Sequence, residues 1–406
     1  MSLSRRRFLG LSAALAAAPG AWAQTAEVTA TGERVPELAA FDELMDRFVR
    51  EQGVPGAGLA IAHRGQTRYA RGFGLADRDT GALVRPTTRF RIASVSKPFT
   101  AVAILKLVEH GKLGIDDPVL PLLGHPAKDP RWARITVRHC LQHRGGWDRA
   151  ISGDPISQTG KIFQTTGIPP PHHPSLIVRY MLRQPLDFDP GARMAYSNLG
   201  YLVLGRIIEK ISGVDYEDHV RAAVLKPLGL NSMKLGKATW AGREPDEARY
   251  HTRDNRKGLS LYDPFGQPVP VPYGTENFEG FEAHGGWIAS ATDLVRFADA
   301  FHDPAKSPLL KPETFALMQA RPEGAAGHEE DGKPKAAYYG CGWMVRPVKD
   351  GQVNLWHAGL IAGSEALLVR RWDGWSWAVL FNANGAIKHG TLAATIDPLL
   401  HRALGR

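Results

Sequence analysis

Cysteine is nearly absent: the 406-residue chain has two, Cys140 and Cys341. That excludes a disulfide-built scaffold and a four-thiolate metal site. Beyond the N-terminus no stretch reaches the ~18 consecutive apolar residues of a membrane helix. No Lys/Arg block and no basic stripe interleaved with aromatics occurs, so nucleic-acid binding has no support. Internal repeats, low-complexity tracts and an evident interdomain linker are also missing. What is present describes a folded chain. It is 43% hydrophobic and 22% charged, with 10 Trp, 10 Tyr and 15 Phe, which excludes intrinsic disorder. A chain this long buries roughly three quarters of its unfolded surface and needs no staples.

The net charge of +9 is partly an address. Ser4-Arg5-Arg6-Arg7-Phe8-Leu9 precedes a short apolar run, Gly10 to Ala18, and then Ala21-Trp22-Ala23. A charged start, a greasy stretch and an A-x-A end describe an export signal over residues 1–23. Its paired arginines resemble the twin-arginine class. Cleavage after Ala23 would remove a third of the net charge. The expectation is an exported, periplasmic or secreted protein without a membrane span. Twin-arginine export handles folded proteins, so Cys140 and Cys341 are expected as buried free thiols.

Helical spacing of Leu38, Phe41, Leu44, Met45 and Phe48 predicts an amphipathic helix over Pro36 to Arg50. Gly58 to Ala62 and Thr67 to Phe73 read as a hairpin through Arg64-Gly65. Ser94 to Glu109 is helical and stopped by Gly111. Residues 112 to about 235 look mostly helical, and 238–285 is Gly, Pro and aromatic-rich with weak periodicity. A helix at Thr292 to Phe301 follows, then strand-like runs at Tyr338 to Val345, Gln352 to Trp356, Glu365 to Arg370 and Trp375 to Asn382. A helix at about Leu392 to Leu404 closes the chain. Strands at both ends with helices between predict an α+β fold. Its antiparallel sheet lobe would take about 36–93 and 285–406, with an inserted all-α lobe at about 94–284. A ligand cleft is expected where the lobes meet.

Ser94-Val95-Ser96-Lys97 is the only S-x-x-K in the chain. At i and i+3 the ammonium approaches the hydroxyl on one face of a helical turn. A serine hydroxyl needs a base, and a lysine of depressed pKa supplies one. Alone, the pattern is better read as a capping serine and a solvated surface lysine. Tyr196-Ser197-Asn198, the only Y-x-N, lies on a loop at a helix start. A phenol there shuttles a proton and an amide fixes a lysine; a packed tyrosine and a capping asparagine are the bland alternative. His357-Ala358-Gly359 is a weaker signal, matched also by His143-Arg144-Gly145, His284-Gly285-Gly286 and, in the lysine form, Lys388-His389-Gly390. Its apolar strand neighbours Leu355 and Trp356 select it.

In order and approximate spacing these three motifs resemble those of the penicillin-recognising serine enzymes. The similarity is greatest to the class C β-lactamase-related branch, with its β-lactamases, DD-peptidases, D-aminopeptidases and family VIII carboxylesterases. It extends over about residues 36–400 and takes in Ile135 to His139, Phe188-Asp189-Pro190-Gly191 and Gly285-Gly286-Trp287. The resemblance implies a β-lactamase/DD-peptidase-like fold in which Ser94 is the acylated nucleophile and Lys97 its base partner. Tyr196 would be the general base or proton shuttle. Asn198 would position Lys97 and the substrate, and His357 and Gly359 would line the far wall. The backbone N–H groups of Ser94 and Leu360 would form the oxyanion hole. No cofactor or metal is implied, and the partner is a small ester, amide or peptide.

The family's K-T-G reads His357-Ala358-Gly359 here. A mostly neutral imidazole is a poorer anion anchor than an ammonium. Hydrolysis of small esters or amides is therefore expected ahead of D-Ala-D-Ala carboxypeptidase, D-aminopeptidase or β-lactamase activity. A non-hydrolysing penicillin-binding protein is the alternative from another class. His139 and His143, four apart, would share a helix face; without a third ligand at a recognisable spacing a structural role is expected over zinc binding. His172-His173 reads as a solvated loop pair. Trp372, Trp375 and Trp377 are expected in sheet packing and a turn. Tyr262, Phe265, Tyr273 and Phe278 are candidates for a cleft wall.

Overall fold

The computed structural model describes residues 27–384 and 390–404. The export signal at 1–23 and Lys388-His389 of the Lys388-His389-Gly390 match lie outside the described residues.

The amphipathic start forms helix α1 (Ala39–Gln52), entered through a 3-10 turn at Pro36–Leu38 and closed by Gly53 in the left-handed region. The expected hairpin is β1 (Gly56–His63) and β2 (Gln66–Asp77). The helical lobe contains α2 (Lys97–Glu109), α3 (Val137–Leu141) and α4 (Asn198–Ser212). Downstream come β3 (Trp287–Ala289) and α5 (Ala291–Asp299). The C-terminal part supplies β4 (Tyr338–Tyr339), β5 (Met344–Pro347), β6 (Val353–Ile361), β7 (Ser364–Arg370), β8 (Trp375–Phe381) and α6 (Leu392–Ala403).

One antiparallel sheet joins the two ends of the chain. From the short strand Ala30–Thr31 its order is β2, β1, β8, β7, β6, β5, β4. Period-2 alternation sends side chains to opposite faces. Leu59, Ile61, Val379 and Phe381 pack under α1 and α6 with Phe41, Phe48 and Ile396. Ala60, Ala62, Ala378 and Leu380 face α5 and the helical lobe with Leu294 and Phe297. The small residues of β1 let α5 lie close to the sheet. Trp377 is buried and Trp375 stacks on His63 at 4.1 Å, so the tryptophan cluster serves the sheet. Cys140 and Cys341 are buried and free.

Several expectations are corrected. Tyr338 to Val345 is two strands, because Gly340 to Trp343 turns the chain and Tyr339 pairs with Met344. The run from Gln352 does not stop at Trp356 but continues as β6 to Ile361, which puts His357 inside a strand. Gly285-Gly286-Trp287 does precede a helix, with a short strand between them. Trp287–Ala289 first pairs with Phe90–Arg91 and Lys234–Leu235 in a separate small sheet. His139 and His143 share no helix face: α3 ends at Leu141 and His143 lies beyond it at φ 55°. His139 instead completes a capping box with Thr136. His172 is buried, not solvated, and its carbonyl accepts from Asn277 Nδ2 at 2.6 Å. Phe265 is 64% exposed, and Tyr273 packs on Tyr250 and Trp240.

Candidate active site

Chain entry to α2 is a 3-10 turn, Ala93–Ser96, rather than the first α-helical turn expected at Ser94. The small sheet fixes it: Ile92 N donates to Trp287 O at 3.0 Å, and Val95 N to Ile92 O at 3.1 Å. Ala93 has φ 45°, a conformation costing a non-glycine residue about 1 kcal/mol or more. Around the turn Ala93, Val95 and Ser96 are buried, and only Ser94 reaches partly to solvent. The strained residue thus immediately precedes the one hydroxyl the turn presents outward.

Lys97 is fully buried. Its Nζ donates to Ser94 Oγ at 3.0 Å, Asn198 Oδ1 at 2.7 Å and His284 O at 2.9 Å. Burial pushes this amine well below the ordinary lysine range; Asp154 draws it back up and Arg149 pushes it down. A buried amine whose charged form is disfavoured, beside a hydroxyl, is placed to accept its proton.

Tyr196 and Asn198 flank the start of α4. The Tyr196 phenol hydrogen-bonds Ser94, while burial keeps it neutral, above its usual range. Lys97 Nζ lies 4.9 Å from the Tyr196 ring centroid. The Asn198 amide is fixed from both ends, because its Nδ2 donates to Asp154 Oδ2 at 2.7 Å. Asp154 is itself raised by burial, though Asn198, the Ile156 N–H and Lys97 oppose the rise.

His357, Gly359 and Ile361 face inward from β6, while Ala358 and Leu360 point out. His357 Nδ1 lies 2.8 Å from Ala358 O. A carbonyl only accepts, so Nδ1 carries the hydrogen and Nε2 accepts from Tyr339 OH at 2.9 Å. Burial, followed by the charge of Lys97, lowers the imidazole to about 3. It is neutral at physiological pH. Gly359 lies against the nucleophile's turn: a Cβ there would stand 2.1 Å from Ile92 O and 3.2 Å from Ser94 N. Pairing with β5 ends at Trp356, so His357 to Ile361 form an edge that β5 leaves uncovered. Leu360 is 56% exposed on that edge.

All seven residues predicted from sequence border this one region. Five further participants went unassigned. Two of them, His143 and His284, were set aside as competing H-x-G matches. The His143 ring lies 4.2 Å from Tyr196 and 4.3 Å from Tyr339, and its Nδ1 accepts from Ser197 N at 3.3 Å. The His284 carbonyl holds Lys97. Asp154, Tyr339 and Arg149 complete the surroundings, the last with its guanidinium 5.1 Å from the Tyr196 ring centroid. An apolar wall of Ala93, Ala238, Phe278, Phe281 and Ile361, with Ile156 and Tyr262 at its edge, continues from Ser94's turn. Among the described residues no group of three His, Cys, Asp or Glu side chains is placed to hold a metal ion, and no helix is long and apolar enough to cross a membrane.

Comparison with known proteins agrees with this geometry. Residues 41–400 match the family described as Beta-lactamase. Esterase EstB of Burkholderia gladioli is 30% identical over 315 residues, covering 72% of this chain and 76% of its own. Penicillin-binding protein 4 of Amycolatopsis lactamdurans is 29% identical over 338 residues, covering 81% of each chain. A D-stereospecific amidohydrolase from Streptomyces sp. superposes with a TM-score of 0.63 at 26% identity, covering 85% of this chain and 94% of its own. The chain belongs to the β-lactamase-related family and is a serine hydrolase.

Proposed function

We propose that the protein hydrolyses small esters or amides through an acyl-enzyme on Ser94, after export through its twin-arginine-type signal. The observation that carries this reading is the buried Lys97 amine, held 3.0 Å from Ser94 Oγ by Asn198 and His284. Ser94 Oγ attacks the substrate carbonyl carbon as its proton passes to the Lys97 amine. The oxyanion is stabilised by the Ser94 and Leu360 backbone N–H groups, a contribution of several kcal/mol for such donors. Tyr196 donates its phenolic proton to the leaving oxygen or nitrogen as its bond to carbon breaks, and the proton held by Lys97 replaces it. Water then attacks the acyl carbon, its proton returns to Ser94 Oγ, and the carboxylic acid departs.

Neutral His357 provides no charge on β6 for a substrate carboxylate, which supports ester and amide hydrolysis ahead of D-Ala-D-Ala peptide or β-lactam turnover. The test is a substrate panel of p-nitrophenyl butyrate, D-amino-acid amides, D-Ala-D-Ala peptides and nitrocefin, with wild type beside Ser94→Ala. Ester or amide turnover abolished in Ser94→Ala is expected. Full turnover by the variant overturns the reading. A stable penicilloyl adduct without turnover of any substrate would replace it with a binding role. For export, replacing Arg5 and Arg6 by lysine should retain the uncleaved protein in the cytoplasm.

A further inference from the structure

Arg149 lies in the loop after α3 that also carries Asp154. Its side chain is exposed, and the guanidinium stands over the Tyr196 ring at 5.1 Å. The acids nearest in sequence are otherwise engaged. Asp148 pairs with Arg193 at 2.7 Å and accepts from Ala150 N at 2.9 Å. Asp154 is turned inward to Asn198. Among the described residues the Arg149 guanidinium makes no ion pair and no hydrogen bond. Guanidinium remains charged at any working pH, and its field reaches Tyr196, Lys97 and His143. A permanent cation with no direct ion pair, which Asp148 and Asp154 feel only at a distance, therefore stands beside the Tyr196 ring of a site whose inner wall holds a neutral histidine.

We propose that Arg149 is a specificity-determining residue that selects substrates bearing a carboxylate near the scissile bond, so that monoanionic esters and amides are preferred to their neutral counterparts. The guanidinium fork binds a carboxylate through two parallel N–H···O bonds. The apolar wall of Phe278, Phe281 and Ile361 accommodates the rest of the molecule. The inference rests on the hydrolase reading and adds the charge of the substrate to it.

Two substrate pairs test it. Monomethyl adipate against dimethyl adipate places the carboxylate on the acyl side; 4-acetoxybenzoate against its methyl ester places it on the leaving group. The measured quantity is the anionic-to-neutral ratio of kcat/KM in wild type, Arg149→Ala and Arg149→Lys. For at least one pair, Arg149→Ala should lower the ratio about tenfold, mainly through KM, and Arg149→Lys should retain part of it. Added salt should lower the wild-type ratio, because the cation is exposed. A purely structural or electronic effect on Tyr196 would slow both members of a pair alike. Equal losses, or an unchanged ratio in both pairs, would overturn the proposal. A readout independent of turnover is protection of Ser94 from a fluorophosphonate. Benzoate should protect better than benzamide in wild type and no better in Arg149→Ala; equal protection in wild type counts against Arg149 even if the ester reading fails. Conversely, full ester turnover in Ser94→Ala sinks the hydrolase reading whatever the ratio shows.

Discussion

Lys97 and Asp154 are joined through a single amide: Asn198 accepts from the lysine Nζ at 2.7 Å and donates to the carboxylate at 2.7 Å. An ionised carboxylate only accepts, so it dictates which end of the Asn198 amide faces Lys97. Its charge also favours the ammonium form of Lys97. Asp154→Asn removes both effects. Without the nearby negative charge the Lys97 pKa falls further, so the amine is neutral from a lower pH. The acidic limb of the kcat/KM profile should then move to lower pH. The plateau should drop about tenfold as the amide loses its enforced orientation. Profiles of wild type and Asp154→Asn on one neutral ester measure both, and an acidic limb that stays in place contradicts the charge role.

That pair shows where sequence reading runs out. Ser94 and Lys97 were legible because three residues of chain fix their separation whatever the rest of the fold does. Tyr196 and Asn198 share the same advantage. The sheet was legible from alternation, since Leu59 and Ile61 oppose Ala60 and Ala62 across β1. Asp154 meets Asn198 across 44 residues and the His284 carbonyl meets Lys97 across 187, one from a loop and the other from the four-residue helix Glu282–Gly285. No local period records such a contact. His143 and His284 were visible as residues but not as participants. One acts through a backbone carbonyl, to which side-chain identity is nearly irrelevant, and the other through a ring placed by a left-handed turn.

Lys97 separates loss of the base from loss of the fold. Lys97→Met keeps the length and apolar stem and removes the amine, so turnover of p-nitrophenyl butyrate should fall at least about a thousandfold with a Tm near wild type. Lys97→Arg buries a cation that gives up no proton, and should lose the activity and be destabilised by several kcal/mol as well. Thermal denaturation beside the ester assay distinguishes the two. Measurable activity in Lys97→Arg would argue against a proton-accepting lysine.

Buried histidines set the acid limit of stability. His143, His284 and His357 are 2–4% exposed, and burial depresses all three, His143 and His284 well below the usual histidine range and His357 to about 3. The unfolded chain protonates them near pH 6.5, whereas the folded chain does not, so below that pH the unfolded state binds more protons. Stability should therefore fall as pH drops from about 6.5, by up to about 1.4 kcal/mol per pH unit for each histidine. For His357 the loss continues until about pH 3. Urea denaturation at pH 7, 6 and 5 should show a decline that is shallower in His357→Gln than in wild type. A slope in His357→Gln equal to that of wild type would mean that the His357 ring ionises in the folded state.

Gly359 fixes the distance between β6 and the nucleophile's turn. Its Cα sits so close that a methyl group would stand 2.1 Å from Ile92 O and 3.2 Å from Ser94 N. Neither neighbour is a flexible side-chain tip; both are backbone atoms of the strained segment that presents Ser94. Gly359→Ala must move the strand or the turn, and either motion pulls apart the Ser94 and Leu360 N–H groups proposed to bind the oxyanion. Loss of one such donor costs about 100- to 1,000-fold in kcat. The variant should lose at least that while KM for a neutral ester changes little, because the interaction is made in the transition state rather than on binding. The neighbouring Ala358 side chain points outward, so Ala358→Ser serves as the control and should stay within a few-fold of wild type. Equal kcat losses in Gly359→Ala and Ala358→Ser would show that the close approach of β6 has no special part in the reaction.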